Sequence, residues 1–269
     1  MSKIWVISET QSTLLELLAH AKGIAQGESI VAWSFSAEDA QAASQQGADL
    51  VYHFEGLKRP EDCTEELIKR AKAELPVAIL CGNSKRAKEI AARLAAALDV
   101  GLISEGFNLK RNGDNFLSDR YIYGGLCVTT QEVTAKPFMA VMAAKMAEPL
   151  AKGTSCPVET VSAPESNVKF VELRPNQAKC DICGANVVVC VGRGISKEED
   201  LELARRLAAK LGGEVGCTRP VAEDLHWMPE EAYIGISGQT VKPVLYIGLG
   251  VSGQIQHLSG IRDSKTIIA

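Results

Sequence analysis

The chain has 269 residues, of which 46% are hydrophobic and 23% charged, and its formal net charge is -4 at pH 7. That length allows two domains, each with its own core. The negative charge argues against nucleic acid or an anionic membrane surface as the main partner. No apolar run is long enough to span a bilayer, and the amino terminus lacks the plan of a signal peptide. Because eight cysteines occur without such a signal, we expect free thiols and a cytoplasmic location.

The first hundred residues alternate between apolar strands and amphipathic helices. Strands are predicted at residues 4–7, 29–35, 50–54 and 77–80, and helices at residues 12–25, 37–46, 60–75 and 84–98. Such alternation predicts an α/β fold with a Rossmann-like parallel sheet that helices cover on both faces. The loop from Cys81 to Arg86 follows a strand, where such sheets hold ligands. A capped helix with a basic first turn is the simpler interpretation, and we prefer it.

Extended patterns dominate the stretch after Gly101. Strands at residues 102–109 and 116–128, joined by Asn112-Gly113, predict a β-hairpin added to the sheet. Within the second strand, Tyr123-Gly124-Gly125 is interpreted as a bulge or a close backbone approach. Further strands are predicted at residues 137–143 and 168–173.

A domain boundary is predicted after the first 178 residues. The stretch from Lys145 to Gln177 is rich in Pro, Ser, Thr and Glu, which is typical of a connector. We therefore predict an N-terminal α/β domain over residues 1–178 and a smaller parallel α/β domain over residues 179–269. Cys180 and Cys183 form a Cys-x-x-Cys pair near this boundary. Because zinc needs two more ligands and the sequence has no second such pair, we predict no metal site.

The second domain begins with a strand, a glycine turn and a helix. The strand is predicted at residues 186–190, and the turn that follows contains Arg193. Ser196 and Glu199 have the spacing of a capping box for a helix that runs to about Leu211. Because a helix N-terminus attracts anions, we expect Arg193 to bind a phosphate there. The alternative is an arginine exposed in a loop.

Two polar segments follow in the second domain. A strand at residues 213–217 ends in Thr218-Arg219-Pro220. An arginine held before a proline at a strand end is well placed to face a crevice. A polar turn, Ser237-Gly238-Gln239-Thr240, precedes the next strand at residues 244–247.

The strand at residues 244–247 leads into a glycine-rich turn. The turn is Gly248-Leu249-Gly250-Val251-Ser252-Gly253, which has the G-x-G-x-x-G pattern, and a short helix with Gln254, Gln256 and His257 follows it. Strand, glycine turn and helix together aim backbone N–H groups at an anion. The pattern alone is a weak signal, because many glycine turns hold no ligand. A last strand is predicted from Lys265.

These polar segments are expected to share one pocket, because parallel strands end at the same edge of a sheet. Arg219 and His257 are expected to face one flat ring there, and their positive charges suit the electron-rich forms of a flavin. Taken alone, His257 is better explained as a core histidine whose hydrogen bonds are satisfied. With Arg219 and Gln239-Thr240 beside it, we interpret it as a ligand-binding residue.

The second domain resembles the electron-transfer flavoprotein alpha-subunit family. The motifs that carry the resemblance are Val191-Gly192-Arg193-Gly194, Thr218-Arg219-Pro220-Val221-Ala222-Glu223, Ser237-Gly238-Gln239-Thr240, Gly250 to Leu258, and Asp263 to Ile267. The N-terminal domain is similar in layout and in Tyr123-Gly124-Gly125. The second motif, with Trp227-Met228, resembles the bacterial branch linked to carnitine metabolism, nitrogen fixation and acyl-CoA redox chemistry.

The resemblance implies an electron carrier that transforms no substrate itself. It implies FAD in the C-terminal domain and a heterodimer with a beta subunit, which contacts the N-terminal domain and holds AMP or a second FAD. It also implies that electrons pass from a flavin dehydrogenase of the acyl-CoA type to another redox partner. The residues that it assigns to FAD, none of them catalytic, are Arg193, Thr218, Arg219, Ser237, Gly238, Gln239, Thr240, Ser252, Gly253, Gln254, Ile255, Gln256 and His257.

The same resemblance implies individual positions for some of these residues. Arg219 is expected over the isoalloxazine ring, Thr240 near the reactive nitrogen of the ring, and His257 at its pyrimidine carbonyl. Family members continue past the position of Ala269, so the chain is expected to be short at its C-terminus and to lack contacts to the adenosine end. Two alternatives stay open: an NAD-dependent oxidoreductase that uses Gly248-Leu249-Gly250, and a flavin-free subunit that scaffolds its partner.

Overall fold

A computed structural model describes residues 2–143, 147–172 and 181–269, which divide into two compact units. The first unit takes residues up to Ile122 and Leu126–Glu172. The second takes Tyr123–Gly125 and the described residues from Asp181 onward. The predicted boundary after residue 178 lies outside the described residues, and so does Cys180.

The first unit is built on a 9-stranded sheet. Its strands are β1 (Lys3–Ile7), β2 (Ser29–Ser34), β3 (Leu50–Glu55), β4 (Ala78–Cys81), β5 (Leu102–Asn112), β6 (Asn115–Ile122), β7 (Cys127–Val133), β8 (Phe138–Met142) and β9 (Val158–Ser162). Their spatial order is β7-β6-β5-β8-β4-β1-β2-β3-β9. Neighbouring strands are parallel except in the pairs β5–β6 and β6–β7. The predicted parallel sheet with added hairpin strands is therefore confirmed.

Helices cover both faces of this sheet. They are α1 (Gln11–Ile24), α2 (Ala37–Gln45), α3 (Thr64–Glu74), which follows a 3-10 turn at Pro60–Cys63, and α4 (Lys85–Leu98). Ile4 and Val6 of β1 pack in one core cluster, whereas Trp5 and Ile7 pack in another. Because successive side chains of a strand point to opposite faces, β1 is buried on both sides. No helix in the described ranges combines the length and apolar character needed to span a bilayer.

The loop before α4 is a helix cap, as the simpler interpretation predicted. The Ser84 hydroxyl accepts a hydrogen bond from the backbone N–H of Ala87 at 3.0 Å. In the first turn, Arg86 pairs with Glu61 at 3.4 Å, so its charge is used within the first unit.

The predicted strand at residues 116–128 is wrong, because the chain reverses within it. β6 ends at Ile122, and β7 returns antiparallel beside it. Tyr123, Gly124 and Gly125 form a 3-10 turn and have positive φ angles of 53°, 64° and 87°. Successive residues in the left-handed region turn the chain, and glycine adopts that region without a steric penalty. The triplet is therefore a turn rather than a bulge.

The strand at the edge beside β3 lies elsewhere than predicted. Residues 168–172 form no strand, whereas β9 pairs in parallel with β3. Pro157 and Pro164 flank β9, which is why the sequence pattern suggested a connector. Only Val161 in this strand is buried, so the strand carries almost no hydrophobic periodicity.

The second unit is built on a smaller, 4-stranded sheet. Its strands, β10 (Val187–Val191), β11 (Glu214–Cys217), β12 (Leu245–Leu249) and β13 (Thr266–Ile268), are all parallel and follow the order β11-β10-β12-β13. Val189 and Val191 of β10 pack in one core cluster, and Val188 and Cys190 pack in the other. The predicted smaller parallel α/β domain is confirmed.

The predicted capping box after β10 is wrong. Helix α5 (Leu201–Leu211) begins after a 3-10 turn at Glu198–Asp200, which is later than a capping box at Ser196 and Glu199 requires. The residues that precede these two elements, Lys197 and Asp200, make no side-chain cap hydrogen bond. Ser196 lies exposed in the connecting segment, because the chain is still extended at Lys197.

Candidate functional site

The second unit contains a cavity of about 690 Å³ at the carboxyl ends of β10, β11 and β12. Arg193 lines it after β10, Thr218 and Arg219 line it after β11, and Ser252 lines it after β12. This edge of a parallel sheet is where α/β folds hold ligands. Segments that are far apart in the sequence therefore converge on one space, as the strand pattern predicted.

Glycines let the turns after β10 and β12 meet backbone to backbone. The Gly194 N–H donates to the Gly250 carbonyl oxygen at 3.0 Å. A Cβ atom at Gly192 would collide with that same carbonyl, and one at Gly194 would lie 2.7 Å from Cα of Gly250. Gly250 has a φ angle of 65°, a conformation that other residues rarely adopt. This contact fixes the turns that carry Arg193 and Ser252 into the cavity lining.

The end of β11 supplies a buried hydroxyl and an exposed cation. Thr218 is 9% exposed, and its N–H donates to the Val191 carbonyl at 3.0 Å. Arg219 Nε donates to the Glu223 carboxylate at 2.6 Å, and this hydrogen bond raises the pKa of the guanidinium above its ordinary value. An extended backbone is expected for a residue before a proline. The backbone of Arg219 is instead helical (φ −47°, ψ −49°), because the residue leads directly into the helical turn at Pro220–Asp224.

The apolar part of the cavity comes from the loop between β11 and β12. Tyr233, Ile234 and Ile236 line it, together with Ser237. The hydroxyl groups of Tyr233 and Ser237 lie 3.0 Å apart and share a hydrogen bond. Ile234 N–H donates to the Cys217 carbonyl at 2.9 Å, which ties the loop to β11. A flat, apolar ring with polar edges suits a wall of this kind.

The glycine-rich turn after β12 contributes hydroxyl and amide groups. Ser252, Gln254 and Gln256 line the cavity and are exposed. The helix predicted after this turn, α6 (Ile255–Leu258), has only 4 residues. Its dipole is correspondingly weak, so the polar side chains and the backbone of the turn are the main contribution of this segment.

His257 lines the cavity, but both of its ring nitrogens are bound within the protein. Nδ1 lies 3.0 Å from the Ile234 carbonyl oxygen, and Nε2 lies 2.7 Å from the Tyr246 hydroxyl. Burial lowers the pKa of the imidazole below its ordinary value, against the opposing effect of the Ile234 carbonyl. The imidazole is therefore neutral at pH 7. The positive charge expected on His257 is absent there, and Arg193 and Arg219 carry the charge of the cavity lining.

Some of the predicted site residues lie beside the cavity rather than in its lining. These residues are Gly238, Gln239, Thr240, Gly253 and Ile255. The Gln239 side-chain oxygen accepts from the Cys183 thiol at 3.4 Å, and its backbone N–H donates to Tyr233 at 2.7 Å. Thr240 is exposed. Their assignment to FAD stays a prediction.

Sequence reasoning missed part of the lining. The missed residues are Gly194, Pro220, Tyr233, Ile234, Ile236, Gly250 and Val251. Several of these missed residues are sequence neighbours of predicted site residues, so they could have been found by extending the prediction to the rest of each turn. The apolar residues at 233–236 had no such signal, because an apolar run in a sequence is equally typical of a core.

The cavity lining contains no acidic residue among the described residues, whereas it contains Arg193 and Arg219. Such a lining favours an anionic ligand. Within the same described ranges, no three His, Cys, Asp or Glu side chains lie close enough to hold a metal ion.

Comparison with known proteins assigns the class. Residues 4–166 match the electron transfer flavoprotein domain, and residues 181–262 match the electron transfer flavoprotein FAD-binding domain. The chain therefore belongs to the electron transfer flavoprotein alpha-subunit family, and its C-terminal part is an FAD-binding domain.

Individual relatives match over the whole chain. The putative electron transfer flavoprotein subunit YdiR of Escherichia coli K12 is 34% identical over 100% of this chain and 88% of its own length. Protein FixB of Salmonella typhimurium is 34% identical, and protein FixB of Escherichia coli O157:H7 is 32% identical, with the same coverage.

The residues of the cavity fit FAD. A diphosphate suits a lining that contains a cation, and Arg193 is such a residue. An isoalloxazine ring suits a lining with apolar side chains and polar groups, and Ile234, Ile236 and Ser237 are residues of these kinds.

Proposed function

We propose that this protein is the alpha-type subunit of a heterodimeric electron carrier. It pairs with a beta subunit that binds AMP or a second FAD. It receives electrons from a flavin dehydrogenase of the acyl-CoA type and passes them to another redox partner. FAD, when bound, supplies a ring that accepts and releases electrons.

One observation carries this proposal: a cavity opens where three parallel strands of the FAD-binding domain end, and its lining, within the described part of the chain, has two arginines and no acidic residue. Arg219 is the residue that we propose beside the ring, because its charge favours the electron-rich forms. Arg193 and Ser252 hold the diphosphate side. Ile234, Ile236 and Val251 exclude water from the ring.

The remaining assigned residues have supporting roles in this proposal. Thr218, Ser237, Gln254 and Gln256 offer hydroxyl and amide groups to the polar edges of FAD. Gly238, Gln239, Thr240, Gly253 and Ile255 lie in the same turns, within three residues of the lining in the sequence. Small movements of those turns bring these groups into contact with the ligand, since exposed loops adjust on binding.

Co-expression with an electron transfer flavoprotein beta subunit tests the proposal. We expect a stable complex that shows flavin absorption bands with near-stoichiometric FAD. Anaerobic mixing with an acyl-CoA dehydrogenase and its substrate should bleach these bands, and an added acceptor should restore them. A matched pair of variants is Arg193→Gln, which should weaken FAD binding, and Arg205→Gln, which removes an exposed charge on α5 outside the cavity lining.

Other outcomes identify the alternatives. A colourless protein with NAD(H)-dependent turnover supports the oxidoreductase, and a colourless, inert one supports the scaffold. A flavin that binds but is not reduced by the dehydrogenase removes the acyl-CoA class of donor alone. We place the protein in the cytoplasm, because the cysteines of the described ranges are free thiols.

A further inference from the structure

Behind the cavity, three side chains of the second unit form a buried hydrogen-bonded chain. His257 is 7% exposed, Tyr246 of β12 is 1% exposed, and Cys190 of β10 is 0% exposed. The Tyr246 hydroxyl lies 2.7 Å from His257 Nε2, and the Cys190 thiol adds to the effect of burial in raising the pKa of Tyr246. Cys190 Sγ lies 3.9 Å from the same nitrogen. The chain thus runs from the cavity lining into the core between two adjacent strands.

One end of this chain fixes the proton on the imidazole. The Ile234 carbonyl oxygen, 3.0 Å from Nδ1, accepts hydrogen bonds only. Nδ1 therefore carries a hydrogen in every charge state. In the neutral imidazole, Nε2 is then an acceptor, and the Tyr246 hydroxyl donates to it.

Tyr246 and Cys190 allow the direction of the hydrogen bond between Tyr246 and His257 to reverse. Burial raises the pKa of both Cys190 and Tyr246, so each carries its hydrogen. When Nε2 also carries a hydrogen, it donates to the Tyr246 oxygen, and the hydroxyl hydrogen rotates toward Cys190. The thiol hydrogen then turns to the Val191 carbonyl, which lies 4.0 Å from Sγ. That carbonyl accepts one hydrogen bond from Thr218 and has a second lone pair.

We propose that Tyr246 is a positioning residue whose hydroxyl reverses direction, with Cys190 as its second partner, so that His257 can be neutral or cationic without an unsatisfied hydrogen bond. The charge of the imidazole can then follow the charge of the ligand in the cavity. This use of the switch rests on the proposed function, whereas the switch itself rests on the three side chains.

The surroundings of His257 favour its neutral form when the cavity holds no negative charge. Arg193 and Arg219 line the same cavity, and Glu223 is already paired with Arg219. Tyr233 also faces the cavity. An electron added to a bound ring supplies the negative charge that shifts the balance toward the cationic form.

The test measures the pKa of His257 directly. The full-length protein is labelled with ¹⁵N-histidine, and its ring nitrogens are followed by NMR across pH; His257→Gln assigns the signal among the 4 histidines. Removing Tyr246 or Cys190 should destabilise the cationic form of His257 more than the neutral form, because hydrogen bonds made by a charged group are stronger. We therefore expect Tyr246→Phe and Cys190→Ala each to lower the pKa of His257. Cys190→Ser, which keeps a donor and acceptor, should retain it.

A one-directional hydrogen bond gives a different pattern. If Tyr246 only donates to neutral His257, Tyr246→Phe raises its pKa and Cys190→Ala leaves it unchanged, and either result overturns the proposal. A His257 that does not titrate before the unsubstituted protein unfolds overturns it too. Cys190→Ala gives the answer if Tyr246→Phe does not fold. Cys81→Ala, another fully buried cysteine but in the first unit, is the control and should change nothing.

Titrations with and without FAD distinguish the reversal of the Tyr246 hydroxyl from its coupling to the ligand. Without FAD, the titrations test the hydrogen-bonded chain alone, whatever the protein carries. With FAD bound, chemical reduction should raise the pKa of His257, and this rise should shrink in Cys190→Ala. An unchanged pKa on reduction overturns the coupling to the ligand, and failure to bind FAD overturns the proposed function instead.

Discussion

Gly192 lies where the turn after β10 contacts the turn after β12, and a methyl group added at this position would clash with the second turn. The obstructing atoms belong to the backbone of Gly250, which cannot rotate away as a side chain can. We expect Gly192→Ala to lower the free energy of unfolding by about 1–3 kcal/mol, as overpacking does. It should also weaken FAD binding. Urea denaturation and FAD titration measure the two effects.

Gly23 provides the matched control for this substitution. It lies in α1, and an added Cβ meets no atom within 4 Å. Gly23→Ala should raise the stability by up to about 1 kcal/mol, because alanine favours helices over glycine. Equal effects of the two substitutions would show that the backbone contact at Gly192 does not limit the fold.

Arg219 is the residue for which we expect an effect on redox potential. Arg219→Ala removes a positive charge from the cavity lining, so the electron-rich forms of FAD become less stable and the midpoint potential falls. The change should be modest and should shrink at high salt, because the side chain is exposed. Glu223→Gln is the counterpart: it removes the paired negative charge, and the potential should rise. A potential unchanged in both variants would remove the electrostatic role of Arg219.

At this scale, the sequence predicted residue types better than their environments. Arg193, Thr218, Arg219 and Ser252 line one cavity, because the ends of parallel strands meet at a single edge. The satisfied hydrogen bonds of His257 agree with the simpler interpretation of a core histidine. Its partner Tyr246 was not predictable, because that residue looked like an ordinary buried strand residue. Its hydrogen bond crosses from α6 to β12, and no spacing in the sequence encodes that contact.

Among the elements, the starts of α4 and α5 give a direct comparison of two serines. Ser84 caps α4 with a hydrogen bond, whereas Ser196 lies before α5 without one. Ser84→Ala should therefore cost about 1 kcal/mol of stability, and Ser196→Ala should cost almost nothing. Thermal unfolding followed by circular dichroism measures both. A larger loss from Ser196→Ala would contradict the observed start of α5.

Elements with strong periodicity were predicted well, and elements set by the backbone were not. Helices α1 and α4 and strands β1, β4 and β10 bury regular apolar positions, so their patterns were sufficient. β9 buries one residue and depends on pairing with β3, which a local pattern does not report. The reversal at residues 123–125 depends on φ angles rather than on hydrophobicity.

For the whole molecule, two units with separate cores predict two unfolding events. FAD binds the second unit, so it should raise the temperature of one transition, by an amount that grows with ligand excess, and leave the other in place. Trp5 and Trp33 report on the first unit, and Trp227 packs against the core of the second. Calorimetry with and without FAD, with fluorescence in parallel, checks this.

A tryptophan variant separates the two signals. In Trp227→Phe, the remaining fluorescence comes from the first unit, and FAD should not shift its transition. An equal shift in that variant would mean that the two units unfold together.

The order of the strands was the part of the architecture that the sequence left open. Alternating strands and helices predicted a parallel sheet, but β8 inserts between β5 and β4 although β6 and β7 separate it from β5 in the chain. Such an insertion depends on pairing between distant segments. The fold class was therefore accessible from the sequence, and the full topology was not.

The contact of Gly192 and Gly194 with Gly250 means that the residues that fix the two turns differ from the residues that line the cavity. Three positions without side chains hold the two turns together, so the neighbouring positions 193 and 252 are free to vary without disturbing the scaffold. A combinatorial library at 193, 219, 237 and 252 that keeps these glycines should yield many folded variants. Changes at 219 should alter the redox potential, and changes at 193 and 252 should alter the affinity for FAD. The architecture is accordingly a natural starting point for engineering carriers matched to new electron donors.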